Sequence, residues 1–248
     1  MRTKIIAGNW KMNMTKATAI ALAKSVAQGA PSGVDVGVAP PFVYIDAVGQ
    51  ALAGSKVMLG AQDCYCEEGG AFTGEICPAM LKDLGVRFCL TGHSERRNVI
   101  GEPSQLVARK AEVVYGSGMM LVHCVGEKRE QREAGQTLNV VRAHLAELNS
   151  RKIDDPARLV IAYEPVWAIN TGLTATDAQA QEVHAFIRQT LASTWNKDFA
   201  DRVRIQYGGS MKPENAKGLL SQPDVDGGLI GNAALKPESF LAIVKAAM

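Results

Sequence analysis

The chain has 248 residues, and its 27 basic and 25 acidic side chains leave a formal net charge of +2 when the histidines are neutral. A chain so balanced has no electrostatic basis for binding nucleic acid or an anionic membrane surface. Its 47% hydrophobic content argues against a disordered chain. Because no apolar run approaches the roughly 18 residues of a transmembrane helix, we expect no membrane partner.

The cysteines show neither a metal-binding nor a disulfide pattern. There are five of them, an odd number, and no two have the C-x-x-C spacing. A chain of this size forms a core without cross-links, so we expect free thiols and no zinc site. The first apolar run is broken by Gly8 and is too short for a secretory signal. These features favour a reducing compartment, and we predict the cytoplasm.

Short β-rich runs alternate with helix-like stretches along the chain. The runs are almost continuously apolar, which is typical of parallel strands covered on both faces. We predict eight strands, at 4–10, 34–40, 57–63, 88–93, 119–125, 159–164, 203–208 and 228–232.

Helix signals fill the intervals between these strands. The third helix, near 76–84, is short and follows the glycine-containing run 67–70, which predicts an unusually long third loop. Thr176 and Gln179 have the spacing of a capping box at the start of a later helix. The last helix has Pro237 in its first turn.

Eight strand–helix units in 248 residues fit either a closed (β/α)8 barrel or an open doubly wound sheet. An open sheet of the dinucleotide-binding kind has G-x-G-x-x-G after its first strand. Here the corresponding residues 8–13 read GNWKMN. We therefore predict an α/β fold, a single (β/α)8 barrel of eight parallel strands, with residues 1–248 as one domain.

Polar side chains follow several predicted strands at their carboxyl ends, where the loops of a barrel form its site. Asn9 and Lys11 follow the first strand, His93 ends the fourth, and Glu164 ends the sixth. An apolar loop follows Glu164, and its closure would desolvate the carboxylate, raise its pKa and strengthen it as a base. The helix start after His93 disfavours imidazolium and favours a neutral ring that donates to a carbonyl. His123, a second candidate, is predicted to point into a packed layer.

Each of these residues, taken alone, also fits a structural role. Glu164 could cap a helix or form a salt bridge, and His93 could be an ordinary packed histidine. Lys11 could be a solvated surface lysine, a Schiff-base nucleophile or a fixed positive charge.

Two glycine-containing turns follow the seventh and eighth predicted strands, at 208–210 and 231–232. Glycines let backbone N–H groups approach an anion, and phosphate sites recur after these two strands of barrels. Either turn alone fits a tight turn. Together they predict that the ligand is a small phosphorylated metabolite.

Short stretches spread over the whole chain match one known family in order. They are GNWKMN at 8–13, AQD at 61–63, GAFTGE at 70–75, GHSERR at 92–97, CVGE at 124–127, YEPVWAI at 163–169, YGGS at 207–210 and DG at 226–227. No single stretch is specific, but jointly they are. The chain therefore resembles the triosephosphate isomerases, which have the TIM-barrel fold.

The resemblance implies the interconversion of dihydroxyacetone phosphate and D-glyceraldehyde 3-phosphate in glycolysis and gluconeogenesis, without cofactor or metal. Glu164 would move a proton between neighbouring carbons, while His93 and Asn9 would polarise the carbonyl and serve the enediol oxygens. Lys11, placed by Glu95, would balance the negative charge of the phosphate and the enediolate. The loop 165–172 would close as a lid over the substrate. Backbone N–H groups would hold the phosphate, those of Asn170, Ser210, Gly231 and Asn232.

Two of these positions depart from the family pattern, because Asn170 and Asn232 each replace a glycine. Asparagine is the residue other than glycine that best tolerates a positive φ, and it keeps its N–H group. We therefore expect the phosphate cradle to survive. Either added side chain could still hinder lid closure or crowd the phosphate.

The resemblance also implies a homodimer. The long third loop, which includes the stretch 69–75, would enter the neighbouring subunit, and its Thr73 would reach the Asn9 and His93 region there. Cys66 would lie in this loop and would be sensitive to oxidation if it is exposed.

Two other functions remain compatible with the residues themselves. One is a different phosphate-binding barrel, such as an aldolase that uses Lys11 as a Schiff base. The other is a barrel that keeps the phosphate site but catalyses nothing, although the joint presence of Lys11, His93 and Glu164 argues against it.

Overall fold

The computed structural model describes residues 2–148, 152–169 and 174–248. Eight parallel strands form a closed barrel in which neighbours in the chain pair with each other and the first strand pairs with the last. The strands are β1 (Ile5–Asn9), β2 (Asp35–Ala39), β3 (Met58–Ala61), β4 (Phe88–Thr91), β5 (Met120–Val125), β6 (Leu159–Tyr163), β7 (Arg204–Tyr207) and β8 (Gly227–Ile230).

The closing pair decides between the two predicted architectures. Ile5 of β1 lies beside Gly227 of β8, and the register continues to Gly8 beside Ile230. An open sheet would leave these two edges apart, so the barrel prediction is confirmed. All eight predicted strands are present, although most end one or two residues earlier than predicted.

Helices surround the barrel in the described part of the chain. They are α1 (Lys16–Gly29), α2 (Ile45–Ala51), α3 (Pro78–Asp83), α4 (Ser104–Gly116), α5 (Arg129–Glu133), α6 (Thr137–Leu145), α7 (Asp177–Thr194), α8 (Lys197–Arg202), α9 (Pro213–Leu220) and α10 (Pro237–Ala246). None of the helices in these ranges combines the length and apolar character that crossing a lipid bilayer requires.

The predicted helix signals are confirmed. The Thr176 hydroxyl accepts from the Gln179 N–H at 3.2 Å, and the Gln179 side chain accepts from the Thr176 N–H at 2.9 Å. This reciprocal pair satisfies two N–H groups at the start of α7 that have no partner within the helix. The third helix, α3, is short, and Pro237 is the first residue of α10.

The barrel interior is packed by side chains, so it is a core and not a channel. Phe88 of β4 is its largest apolar side chain and is buried there with residues of other strands. Gly37 of β2 and Gly60 of β3 leave room for the ring. A Cβ would lie 2.7 Å from the ring at position 37 and 2.1 Å from it at position 60. A second and larger apolar layer lies between the strands and the helices.

The carboxyl end of β6 is held close to the loop after β5. The Glu164 N–H donates to the Val125 carbonyl at 2.8 Å. Gly126 allows this approach, since a Cβ there would lie 1.8 Å from the Glu164 carbonyl oxygen. The backbone of Glu164, the residue that follows β6, is therefore fixed independently of the contacts of its side chain.

Candidate active site

A cavity of about 270 Å³ opens at the carboxyl ends of the strands. Side chains or backbone from the ends of five strands, β1, β4, β6, β7 and β8, line this one cavity. Its lining includes the predicted residues Asn9, Lys11, His93, Glu164, Ser210, Gly231 and Asn232. Glu95 reaches the site through Lys11, and Asn170 lies outside the described residues.

Glu164 and His93 form a direct pair in this cavity. His93 Nε2 lies 2.9 Å from Glu164 Oε1, and the Ser94 N–H donates to Glu164 Oε2 at 2.8 Å. Only 2% of the Glu164 residue surface is exposed. The carboxylate is therefore shielded from solvent in this structure.

Each member of this pair shifts the pKa of the other. Burial raises the pKa of Glu164, but the His93 charge, the His93 and Ser94 hydrogen bonds and the Lys11 charge outweigh it and lower the pKa. Burial lowers the pKa of His93, but the Glu164 charge and hydrogen bond, with Glu95, outweigh it and raise the pKa. The predicted rise in the Glu164 pKa concerned a closed lid and stays a prediction. The prediction of a disfavoured imidazolium is wrong for this arrangement, because Glu164 is the partner of His93. A ligand that separates them would remove that effect.

The backbone around His93 determines which ring nitrogen faces the cavity as a donor. The Glu95 N–H donates to His93 Nδ1 at 3.3 Å, so Nδ1 acts as an acceptor. In a neutral ring the proton then lies on Nε2. That atom is the one that faces Glu164, so a neutral His93 can donate to a ligand oxygen in the cavity.

Lys11 is held at its backbone and at its tip. Its φ of 51° is in the left-handed region, and the Asn9 side chain accepts from its N–H at 3.0 Å. The Gln62 side chain donates to the Lys11 carbonyl at 2.9 Å. The Lys11 ammonium group lies 2.6 Å from Glu95 Oε1, the pairing that the family resemblance implied. The site therefore contains a positioned cation.

The turns after β7 and β8 form the opposite wall of the cavity. Both Gly209 and Ser210 line it, and a Cβ at Gly209 would lie 2.3 Å from the Tyr207 hydroxyl. Gly231 lies against Lys11, since a Cβ there would be 3.4 Å from Lys11 Cε. This arrangement places exposed backbone of two turns beside a cation.

Asn232 does not need the conformational tolerance that we invoked for it. It begins a short 3₁₀ helix, Asn232–Leu235, and short helix starts of this kind recur at barrel phosphate sites. Among the described residues other than glycine, a positive φ occurs at Lys11 and Met14. The side chain at 232 is thus accommodated at a helix start, and position 170 lies outside the described residues.

Comparison with known proteins agrees with this geometry. A family model described as triosephosphate isomerase matches residues 4–247. The chain belongs to the triosephosphate isomerase family. It is similar to the triosephosphate isomerase of Magnetococcus marinus, with 52% identity over 98% of both chains. The triosephosphate isomerase of Chlorobium phaeobacteroides is 49% identical over all of both chains, and that of Carboxydothermus hydrogenoformans is 49% identical over 99% of both.

One buried cluster, centred on Glu127, was not predicted from the sequence of this triosephosphate isomerase family member. Glu127 is fully buried after β5 and accepts from the Trp167 indole at 2.9 Å and from the Tyr163 hydroxyl at 3.1 Å. Arg132 donates to the same carboxylate at 3.2 Å. This cluster connects the β5 end to the residues that begin the lid. Its only signal was an acid directly after a predicted strand, in the stretch CVGE.

Three further predictions concern residues outside the cavity. His123 is fully buried and its Nδ1 lies 3.0 Å from the Thr91 hydroxyl, so its assignment to a packed layer is confirmed. All cysteines of the sequence lie in the described ranges and are buried free thiols. Cys66 is only 4% exposed, so the condition for its sensitivity to oxidation is not met in a single chain.

Proposed function

We propose that this chain interconverts dihydroxyacetone phosphate and D-glyceraldehyde 3-phosphate through an enediolate, without cofactor or metal. The observation that carries the proposal is the 2.9 Å pair of Glu164 and His93 in the cavity that also contains Lys11. A base, a donor and a cation in one small cavity are the groups that proton transfer next to a carbonyl requires. The family membership supports the choice of substrate.

Glu164 is the proposed base. Its carboxylate takes a proton from the carbon beside the carbonyl and returns it to the neighbouring carbon. While the proton is on Glu164, the electron pair of the broken C–H bond is delocalised in the enediolate. His93 Nε2–H and the Asn9 side chain donate to its two oxygens, and His93 passes the substrate's hydroxyl proton from one oxygen to the other, so that the former hydroxyl becomes the carbonyl of the product. Lys11, held by Glu95, lowers the energy of this anion by its charge.

The phosphate is proposed to bind the turns after β7 and β8. Ser210, Gly231 and Asn232 supply backbone there, beside the Lys11 ammonium group. Asn170 is proposed as a fourth contact from the lid. Holding the phosphate in this way orients the reacting carbons against Glu164, and binding at a distance from the reacting atoms contributes to catalysis.

A Schiff-base reaction at Lys11 is less well supported. The Lys11 nitrogen is paired with Glu95 at 2.6 Å, an arrangement of the ammonium form, whereas imine formation requires a free amine. Borohydride added during turnover is expected to trap no adduct at Lys11, and a trapped adduct would favour the aldolase alternative.

The direct test compares isomerase activity on D-glyceraldehyde 3-phosphate in the wild type and in Glu164→Gln. A positioned base contributes at least ~10²–10⁴-fold, so kcat is expected to fall by that factor or more. Glu133→Gln, which changes an exposed carboxylate of α5, is the matched control and is expected to keep full activity. A folded but inactive wild type would contradict the function, and an active Glu164→Gln would contradict the base.

We also propose that the chain acts as a homodimer through its third loop. Three large apolar side chains in the first three loops are exposed in the single chain, those of Met12, Val43 and Phe72. Thr73, which is also exposed, follows Phe72 at the tip of the loop. Large exposed apolar side chains favour association. The proposed partner is therefore a second copy of this chain.

A single domain over residues 1–248 and a cytoplasmic location complete the proposal. The pairing of β1 with β8 supports the first, because it joins the two ends of the chain in one barrel. The buried free thiols support the second, since oxidising compartments favour disulfides.

A further inference from the structure

Glu164 lies between two cavities. One is the substrate cavity described above. The other, here called the rear cavity, also measures about 270 Å³ and lies between the loop after β4 and the loop after β5. Its lining residues include Glu164, Ser94, Asn98, Glu102, Ser104 and His144. One almost fully buried carboxylate thus borders both spaces.

The lining of the rear cavity is suited to water rather than to an anion. Its polar groups come from neutral and charged side chains of both signs, and the Arg97 guanidinium is already neutralised by Glu147 at 2.7 Å. Glu102 has a buried carboxylate oxygen, Oε2, with no hydrogen-bond partner among the described residues. A polar cavity of this size accommodates several waters, and such waters satisfy buried polar groups.

The rear cavity also has its own opening. Asn98 and Ser104 line it and are themselves exposed, so its wall reaches the protein surface. The Ser94 hydroxyl, at the inner end, lies 3.4 Å from Glu164 Oε1. Substrate in the front cavity and a closed lid would block the front of Glu164 but would leave this side unchanged.

We propose that the rear cavity holds the waters through which the proton on Glu164 exchanges with solvent during turnover. The proposal rests on the proposed function of Glu164 as the base. After the C–H bond breaks, the proton forms an O–H bond on the carboxylate. In D₂O that proton leaves to a rear water while a deuteron from the same water chain takes its place. The carboxyl group then returns deuterium to the neighbouring carbon, and no oxidation or reduction occurs.

The test is isomerisation of D-glyceraldehyde 3-phosphate in D₂O, followed by ¹H NMR of the product. The measured quantity is the fraction of product that retains the substrate hydrogen. Ser104→Phe fills the rear cavity from α4, and Asn98→Phe fills it from the other wall. Gln105→Phe, an exposed neighbour of Ser104 that does not line the cavity, is the matched control.

Both filling variants are expected to lower the exchanged fraction, which is one minus the retained fraction, at least about twofold, with kcat/KM within about threefold of the wild type. Gln105→Phe should match the wild type in both quantities. Equal retained fractions in all four proteins, with normal isomerisation, would overturn the rear route alone. Absence of isomerisation in the wild type would instead overturn the proposed function, so the two failures are distinguishable.

Discussion

In the free protein, Glu164 and His93 occupy each other's reactive atoms, and a ligand must separate them before either can act on it. Each has an electrostatic partner in the free protein, so the basicity of Glu164 depends on what occupies the cavity. A substrate oxygen that takes the His93 donor would remove the charge that lowers the Glu164 pKa. The base would then become stronger at the moment when a proton is available to it.

His93→Gln tests this dependence. With the His93 charge and hydrogen bond removed, burial dominates, so the pKa of Glu164 is expected to rise. The acidic limb of the kcat/KM profile should therefore move to higher pH, alongside a fall in rate of ~10²–10⁴-fold. Ser94→Ala keeps the backbone N–H on Glu164 and should leave the limb near its wild-type position. A limb that does not move in His93→Gln would contradict the coupling.

The sequence predicted which side chains meet in the cavity, but not how they are paired. Strand ends and loop order are sufficient to bring Asn9, Lys11, His93 and Glu164 to one face of a barrel. The pKa directions depend on side-chain torsions and on the aim of the Ser94 N–H, which residue spacing does not encode. For the same reason Gln62 was noted only as part of the stretch AQD and was given no role, although it holds the Lys11 backbone.

At the scale of secondary structure, strand existence was easier to predict than strand length. A continuous apolar run identifies a strand buried on both faces, and all eight were found this way. The run does not show where backbone pairing stops. At Gly92, for example, φ is +66°, so β4 ends at Thr91 although the prediction continued to His93.

Gly126→Ala tests how β6 is held against the loop after β5. The added methyl would overlap the Glu164 carbonyl, and a backbone shift is the only relief. We expect a loss of roughly 3 kcal/mol or more in the free energy of unfolding, or failure to fold. Gly116→Ala, in α4 where a Cβ meets nothing within 4 Å, should be neutral or slightly stabilising. Similar thermal midpoints for the two variants would contradict the close approach.

For the whole molecule, two histidines with lowered pKa values connect stability to pH. Burial lowers the pKa of His184 to about 4, and burial together with the Arg97 charge lowers that of His144 to about 4. The unfolded chain takes up these protons near pH 6.5, so stability is present above that pH and is lost as the pH falls from 6.5 to about 4. The contribution of His184 to this change in the free energy of unfolding is on the order of 3 kcal/mol. His93 contributes in the opposite direction, because its pKa is raised.

His184→Gln isolates one of these terms. Thermal or urea unfolding is measured near about pH 7 and near about pH 5, on either side of the usual histidine pKa. The variant is expected to be less stable than the wild type at the higher pH, since His184 donates to the Asp224 carbonyl at 3.1 Å. It should lose less stability on acidification. Parallel losses in the two proteins would show that His184 is not the titrating group.

The proposed dimer is tested at the same scale by Thr73→Arg. A guanidinium placed at a loop tip that is buried between two copies would be an unpaired charge there, which weakens association. Analytical ultracentrifugation is expected to show a dimer for the wild type and a monomer for the variant. Lys24→Arg, on the surface of α1, is the control and should remain dimeric. A dimeric Thr73→Arg would place the interface elsewhere.

The ring of Phe88, which occupies the space left by Gly37 and Gly60, also bears on how such a barrel can evolve. A methyl group at position 60 has no room while phenylalanine stands at 88, so residue 60 cannot be enlarged until residue 88 has become smaller. A related barrel with alanine at the position of Gly60 is expected to have a smaller residue opposite it. The order of mutations matters, because shrinking residue 88 first passes through a viable cavity-containing ancestor, whereas enlarging residue 60 first does not.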